Sequence, residues 1–450
     1  MTRIVKIKKG LNIKLNGTAE QRIEHYISNT FSVQPCDFRV LHPRLLVAQG
    51  DIVQAGTPVV MDKKNEKIVL TSPVSGEVID IRRGDKRLLE HIIIQADGKM
   101  TSIDFGAEDP EKSEREKIAE KILKAGLWPS IRQRPFAIIA NPEQVPDAIF
   151  ISGFDTAPLA PDMNFVMENH DKEAFQTGIN ALKKLTSGLI HLNVHPGMGV
   201  PELFLQTKHV QINQFYGPHP ASNVGVQIHH ISPIMSGDLI WYINPQDVVS
   251  VGKLFLTGKL DMTRIGVCAG SEFENTYYFK TIVGACVSEM VKNNLKNDNV
   301  RIISGNILTG KHIEKDGFLG FYDTMITSAP EGNYYEFLGW ANPGFKKFSL
   351  SRTFFAWMFK NRKYTLDTNK HGELRAFVMT GEYEKVFPFE LMPVQLLKAM
   401  IVKDFELMEQ LGIYEVSEED FALCEVICTS KIESQAIVRE GIDFMIKETN

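Results

Sequence analysis

Three sets of residues have types and spacings that could do chemistry. Cys424 and Cys428 form a local C-x3-C thiol pair. A four-iron cluster needs four cysteine ligands, and only two stand here, so core packing or the vestige of a lost cluster is the favoured reading. His191 and His195 have the H-x3-H spacing that suits two metal ligands on a helix. The first lies in a predicted strand and Pro196 follows the second, so the spacing loses that meaning. His219, His229 and His230 read as turn or core residues. The run Gly197-Met198-Gly199-Val200-Pro201-Glu202 begins like a dinucleotide fingerprint, but Glu202 stands where the third glycine belongs. Pro201 also sits where a helix N-terminus would meet pyrophosphate. No Walker sequence, G-x-S-x-G elbow or H-E-x-x-H is present. Such a chain reads as one part of an assembly rather than as a complete enzyme.

The elements that would position these residues fall into an α/β multi-domain plan. Residues 1–100 read as short strands: Ile4–Ile7, Val59–Met61, Lys67–Leu70, Gly76–Ile81 and His91–Gln95, parted by Gly, Asp and Pro turns. The stretches Gly50-Asp51-Ile52-Val53, Ala55-Gly56-Thr57-Pro58 and Ser72-Pro73-Val74-Ser75-Gly76 resemble the barrel-sandwich hybrid of biotinyl and lipoyl carrier domains. Lys63 lies near the place of a carrier lysine, but ten residues before Pro73. A barrel used as scaffold is therefore preferred to a carrier. Residues 101–255 read as a Rossmann-like α/β unit. A helix opens at Asp109-Pro110 and stops at Gly126, the loop Trp128–Phe136 follows, and strands at Ala148–Gly153 and Leu189–Val194 flank a helix with Phe175, Ile179, Leu182 and Leu185 on one face. Residues 256–330 read as a β-grasp (SLBB-like) module, with two strands, a helix around Cys286–Leu295 and a strand at Val300–Ser304. Residues 331–375 form a basic and aromatic linker. Its stretch 345–364 holds six basic and seven aromatic residues and no acid. Residues 376–450 read as a helical C-terminal domain, with a capping box at Ser417/Asp420.

Composition limits the function. The chain has 450 residues, 23% of them charged and 43% hydrophobic, with a formal net charge of -5. Neither disorder nor nucleic-acid binding is expected from that balance. Five scattered cysteines give no disulfide framework and suit a reducing compartment. The first residues lack the apolar stretch of a signal peptide. The longest span without Asp, Glu, Lys or Arg, His209–Gly237, is too polar to cross a bilayer. Charge is not uniform: residues 1–100 carry a net +5 and residues 401–450 a net -8.

Several stretches together resemble one family. They are Lys9-Gly10-Leu11, Gly17-Thr18-Ala19-Glu20-Gln21, Asp62-Lys63-Lys64, Arg83-Gly84-Asp85-Lys86-Arg87 and Gly126-Leu127-Trp128 with Arg132-Gln133-Arg134-Pro135-Phe136. Asp155–Ala160, Gly217–Ala221, Gln246–Gly258, Arg301–Gly305, Gly381–Val386 and Glu418–Cys424 continue the series to the end of the chain. The sequence resembles the A-subunit (alpha chain) family of the Na⁺-translocating NADH:quinone oxidoreductase. One departure is Cys428-Thr429-Ser430-Lys431, where the family often shows Cys-Pro-Gly-Lys.

The resemblance implies a peripheral subunit on the cytoplasmic face of the bacterial inner membrane. It implies five partner subunits, B to F, with docking chiefly on the membrane-embedded B subunit near the quinone site, and no nucleic acid. NADH, flavins, iron–sulfur and quinone serve the complex, and this subunit is implied to bind no cofactor, to supply no catalytic residue and to hold no metal. In flavin-binding relatives a glycine-rich loop cradles phosphate through backbone N–H groups. Here Gly126–Phe136 places Trp, Pro, Ile and two arginines there, so side chains fill the room that backbone needs. Ser304-Gly305-Asn306-Ile307 lacks the threonine by which other subunits esterify flavin. Trp128, Arg132, Arg134 and Phe136 are the quinone-proximal candidates, because an aromatic can stack on a quinone and an arginine can donate to its carbonyl. An equal reading has these residues filling an old flavin cavity. The segment 345–364 is the candidate docking face, with a buried strip between domains as the competing reading. A flavin- or NADH-binding redox subunit is the alternative function.

Overall fold

The computed structural model describes residues 2–339, 341–359 and 361–449. Among the described residues four sheets carry the chain. Two of them face each other as the N-terminal barrel. One holds Pro43–Leu45, Pro58–Asp62 and Val69–Thr71; the other holds Thr30–Val33, Leu89–Ala96, Gly76–Arg83 and Ile52–Val53. Val59, Val60, Val78, Ile92 and Ile94 are fully buried between them, with Ile92 and Ile94 on one face as the strand period of two requires. Lys63 lies exposed in the turn after Pro58–Asp62. The Asp62 carboxylate fixes that turn by accepting the His42 and Lys64 backbone N–H groups, each at 3.1 Å.

Two strands within the first 25 residues pair outside the two sheets of this barrel. Ile4–Lys6 pairs in parallel with Gln211–Tyr216 of the α/β unit, Val5 opposite Phe215. Glu20–His25 pairs with Tyr277–Ile282 of the third unit. Both strands cover sheet edges whose backbone groups would otherwise stand unpaired. Glu20–His25 is almost wholly exposed and, but for Ile23, polar or charged, so no apolar alternation announces it.

The seven-stranded sheet runs Ile4–Lys6, Gln211–Tyr216, Leu189–Val194, Ala148–Ser152, Ile240–Tyr242, Arg132–Arg134, Ile138–Ile139. The first five are parallel; Arg132–Arg134 pairs antiparallel with Ile240–Tyr242, and Ile138–Ile139 antiparallel with Arg132–Arg134. Its four central parallel strands are therefore ordered third, second, first, fourth in the chain sense. Asp171 caps the helix Lys172–Leu185 by accepting the Glu173 N–H at 2.9 Å. That helix crosses Pro245–Thr257 through two glycines: a Cβ on Gly252 would lie 1.6 Å from the Ala174 carbonyl oxygen, and one on Gly178 would lie 2.1 Å from that of Val248. The expected helix at Asp109–Ala125 divides into a turn of 3₁₀ at Pro110–Lys112 and an α-helix at Arg115–Lys124.

In the six-stranded sheet, Thr263–Gly270 lies between Tyr277–Ile282 and Met325–Pro330. The helix expected around Cys286–Leu295 is confined to Ser288–Val291. Cys286 instead bridges to Phe318, and Asn293 takes a left-handed φ of 59° that ends the helical run. Beyond residue 376, helices Pro393–Val402 and Ser434–Thr449 pack around Phe387, Leu396, Phe421 and Ile442, all fully buried. No described helix is long and apolar enough to cross a membrane.

Candidate functional site

In an open parallel sheet, ligands gather outside the carboxyl ends of the strands, where successive connections turn to opposite sides. Here that point lies between Ala148–Ser152 and Ile240–Tyr242. A cleft of about 1030 Å³, measured to its open mouth, occupies it. Asp155, Tyr242 and Asn244 line it from the strand ends, Tyr322 and Asp323 from the six-stranded sheet's unit, and Glu419 from the C-terminal domain. Three parts of the chain thus meet over one sheet edge.

Arg132 is the candidate residue that faces this cleft. Its guanidinium carbon lies 4.6 Å from the Tyr242 ring centre and 4.2 Å from that of Tyr322, so the flat cation is sandwiched. Its side chain makes no hydrogen bond or ion pair with a described residue. The donors are oriented by stacking and left available. Burial holds the Asp155 and Asp323 carboxyls above the usual carboxylate range. Asp155 accepts from the Ala157 N–H at 2.8 Å, and Asp323 from the Ser304 hydroxyl at 2.6 Å. Among the described residues the cleft therefore offers one cation without a hydrogen-bond partner beside three carboxyl groups, Asp155, Asp323 and Glu419, a balance that suits a neutral ligand with carbonyl oxygens better than a phosphate.

Arg134 lies two residues along the same strand, on the same face, but reaches elsewhere. It is fully buried and donates to the Ser417 hydroxyl at 2.7 Å and to Glu419 at 3.1 Å, with Asp420 at 3.5 Å. It ties the sheet to the C-terminal domain. Asp420 in turn accepts the Ser417 N–H at 2.9 Å and completes the capping box. Burial pushes the Asp420 carboxyl up to about 6, against the pull of Arg134.

The two aromatic candidates are also packing residues. Trp128 is fully buried; its indole N–H donates to the Ala140 carbonyl at 2.7 Å and its ring meets Trp241 edge-on at 5.5 Å. Phe136, at a left-handed φ of 78°, lies 5.7 Å from the Tyr414 ring of the C-terminal domain. The loop thus fills space with Trp128, staples with Arg134 and Phe136, and presents Arg132. Tyr242 and Tyr322, which orient Arg132, carry no sequence signal. They come from a three-residue strand and a turn far along the chain.

The other motifs resolve as structure. His191 is buried, stacks on Phe150 at 4.6 Å and pairs with Asn213, and burial lowers its pKa to about 4. It ends a buried chain through Asn213, Asn193 and Gln227 to Ser152 at the cleft. His195 stacks against Phe154 at 5.4 Å. Gly197–Glu202 forms a short turn and opens a five-residue helix, Glu202–Gln206. Cys424 and Cys428 are buried as free thiols. Among the described residues no group of three or more His, Cys, Asp and Glu could hold a metal ion.

An N-terminal barrel, an α/β unit, a third β-rich unit and a helical C-terminal domain, the last three meeting at such a cleft, define a class. The family described as the NqrA N-terminal barrel-sandwich hybrid domain matches residues 5–97. The NqrA second alpha/beta domain matches residues 113–260, and the NQRA C-terminal domain matches residues 268–315. The chain is 37% identical, over 99% of its length and 98% of the relative's, to the A subunit of the Na(+)-translocating NADH-quinone reductase of Rhodopirellula baltica. To the corresponding A subunit of Pasteurella multocida it is 34% identical, over 99% of this chain and 100% of that one. The chain belongs to the A-subunit family of the Na(+)-translocating NADH-quinone reductase.

Proposed function

We propose that this chain works as the peripheral A subunit of a respiratory NADH:quinone reductase that couples quinone reduction to Na⁺ export. Identity of 37% to a protein so named, along nearly the whole of both chains, carries the reading. The chain docks on its membrane partner, the B subunit, at the cytoplasmic face and works beside subunits C to F. Its α/β unit is Rossmann-like in strand order. It is redox-silent, with flavins and iron–sulfur held by other subunits and NADH oxidised there.

Of the four quinone-proximal candidates, Arg132 takes the direct role in this reading. Its free donors reach a quinone carbonyl while Tyr242 and Tyr322 hold the guanidinium plane. Trp128, Arg134 and Phe136 position that strand. The test is deletion of the chain from the complex. Quinone-dependent Na⁺ export by membrane vesicles is expected to vanish and to return when the chain is added back. Export that continues without the chain would refute the assignment. A visible spectrum of the purified chain tests the redox-silent part: a stoichiometric flavin band would favour a flavin- or NADH-binding role.

A further inference from the structure

Among the described residues, every exposed phenylalanine, tyrosine and tryptophan falls between positions 334 and 359. Phe355, Trp357, Met358 and Phe359 are each about half exposed, and Tyr335 and Phe337 almost completely so. The competing reading, a strip buried between domains, fits only part of this segment. Phe348, Leu350 and Tyr364 do turn inward onto the C-terminal core, and the Tyr364 N–H donates to the Lys14 carbonyl at 2.8 Å. These residues anchor a lobe whose other aromatic residues project outward.

Among the described residues the lobe's unpaired charge is positive. Lys346, Arg352 and Lys363 are exposed. Arg352 lies 5.5 Å from the Trp357 ring centre and Arg362 lies 5.8 Å from that of Phe359, which places cations beside the projecting rings. Lys360, the remaining basic residue of the outward stretch, lies outside the described residues. The nearest acids are taken up internally: Glu336 by Lys347, Glu331 by Arg301, and Asp367 by the Tyr334 hydroxyl and His371. Protein interfaces favour aromatic residues and arginine but are poor in lysine. Lysine with tryptophan and tyrosine on an exposed lobe is instead the pattern of the bilayer interface, where rings enter the headgroup layer and cations meet anionic lipid.

We propose that this lobe is a lipid-contacting foot, which seats on anionic phospholipid headgroups at the membrane surface beside the complex. The proposal deepens the reading of the chain as a peripheral subunit, so lipid binding and assembly are measured separately. The full chain is sedimented with vesicles of phosphatidylcholine alone or of phosphatidylcholine mixed with phosphatidylglycerol. Binding is expected only to the mixed vesicles, weakening with salt. The triple variant Lys346→Glu, Arg352→Glu, Lys363→Glu should bind about a hundredfold more weakly, with its circular dichroism unchanged. In a Trp340→Phe background, brominated lipid should quench a tryptophan signal that is lost in Trp357→Phe, since the two other tryptophans, Trp128 and Trp241, are fully buried. Failure of the unaltered chain to bind mixed vesicles would overturn the proposal. If that chain still co-purified with its complex, the subunit reading would stand and the lobe would be a protein contact. Equal binding to both vesicle types, or undiminished binding by the charge-reversed variant, would also overturn it.

Discussion

Residues 128–136 and 345–364 are both rich in aromatic and basic side chains, yet the fold treats them in opposite ways. In the first, Trp128 and Arg134 are fully buried and partnered, and one cation, Arg132, is left facing a cleft. In the second, aromatic rings and lysines project from an anchored lobe. The two compositions are alike; the difference lies in what the surrounding fold supplies. The first segment forms a strand against Ile240–Tyr242 and lies under the C-terminal domain, which brings Ser417, Glu419 and Asp420 to meet Arg134. The second has core contacts only at its base. Burial with partners makes a residue structural, and exposure without partners leaves it free for a ligand or a surface.

That contrast predicts a descending series of effects. Arg134→Ala should be the most damaging, because it leaves Asp420 buried without its cation. A loss of about 3–5 kcal/mol is expected, read by urea unfolding. The penalty should shrink at acid pH, where Asp420 is protonated. In the unaltered chain, burial raises both Asp420 and Asp37 to about 6 from an ordinary value of 3.8. The folded state therefore holds more protons than the unfolded chain across this range. The two groups' contribution is complete below pH about 4 and is lost as pH rises through about 6. Unfolding midpoints measured at about pH 4.5 and about pH 7 would sharpen or break this assignment of sign.

Trp128→Phe removes a buried indole donor and leaves the Ala140 carbonyl without it. A loss of about 1–3 kcal/mol is expected, visible as a lower urea midpoint. Gly252→Ala should act by another route, since its Cβ would meet the Ala174 carbonyl oxygen. Overpacking of that helix crossing should cost about 1–3 kcal/mol. Arg132→Met should change stability by about 1 kcal/mol or less, since stacking on two rings is all that it loses. Trp357→Ala should fall within about 0.5 kcal/mol, as for surface substitutions generally. If Trp357→Ala destabilised the chain as much as Trp128→Phe, the lobe would be packed rather than projecting.

Much of the architecture was legible in the sequence, and the limits are physical. The Gly and Pro corners of the barrel and the apolar face of Lys172–Leu185 announce themselves, because turns and amphipathic helices carry local signals. The strand Gln211–Tyr216 does not. Its Asn213 is fully buried but satisfied by Asn193 and His191, so a polar sequence occupies a buried strand. Ile4–Ile7 reads as a strand, but where it and Glu20–His25 pair cannot be told from their own residues, since their partners lie some two hundred residues or more downstream. Of the candidates named from the loop, Arg132 lines the cleft, while Arg134 reaches into the C-terminal domain. The tyrosines that orient it are brought together only by tertiary structure.

The measurement that bears most directly on the central claim compares Arg132→Met with the unaltered chain in the assembled reductase, following quinone reduction and Na⁺ export. The cleft reading predicts a KM for quinone raised about tenfold or more, as befits the loss of a charge-assisted hydrogen bond, with the chain's unfolding midpoint almost unmoved. An unchanged KM and unchanged Na⁺ export in a stably assembled complex would contradict it.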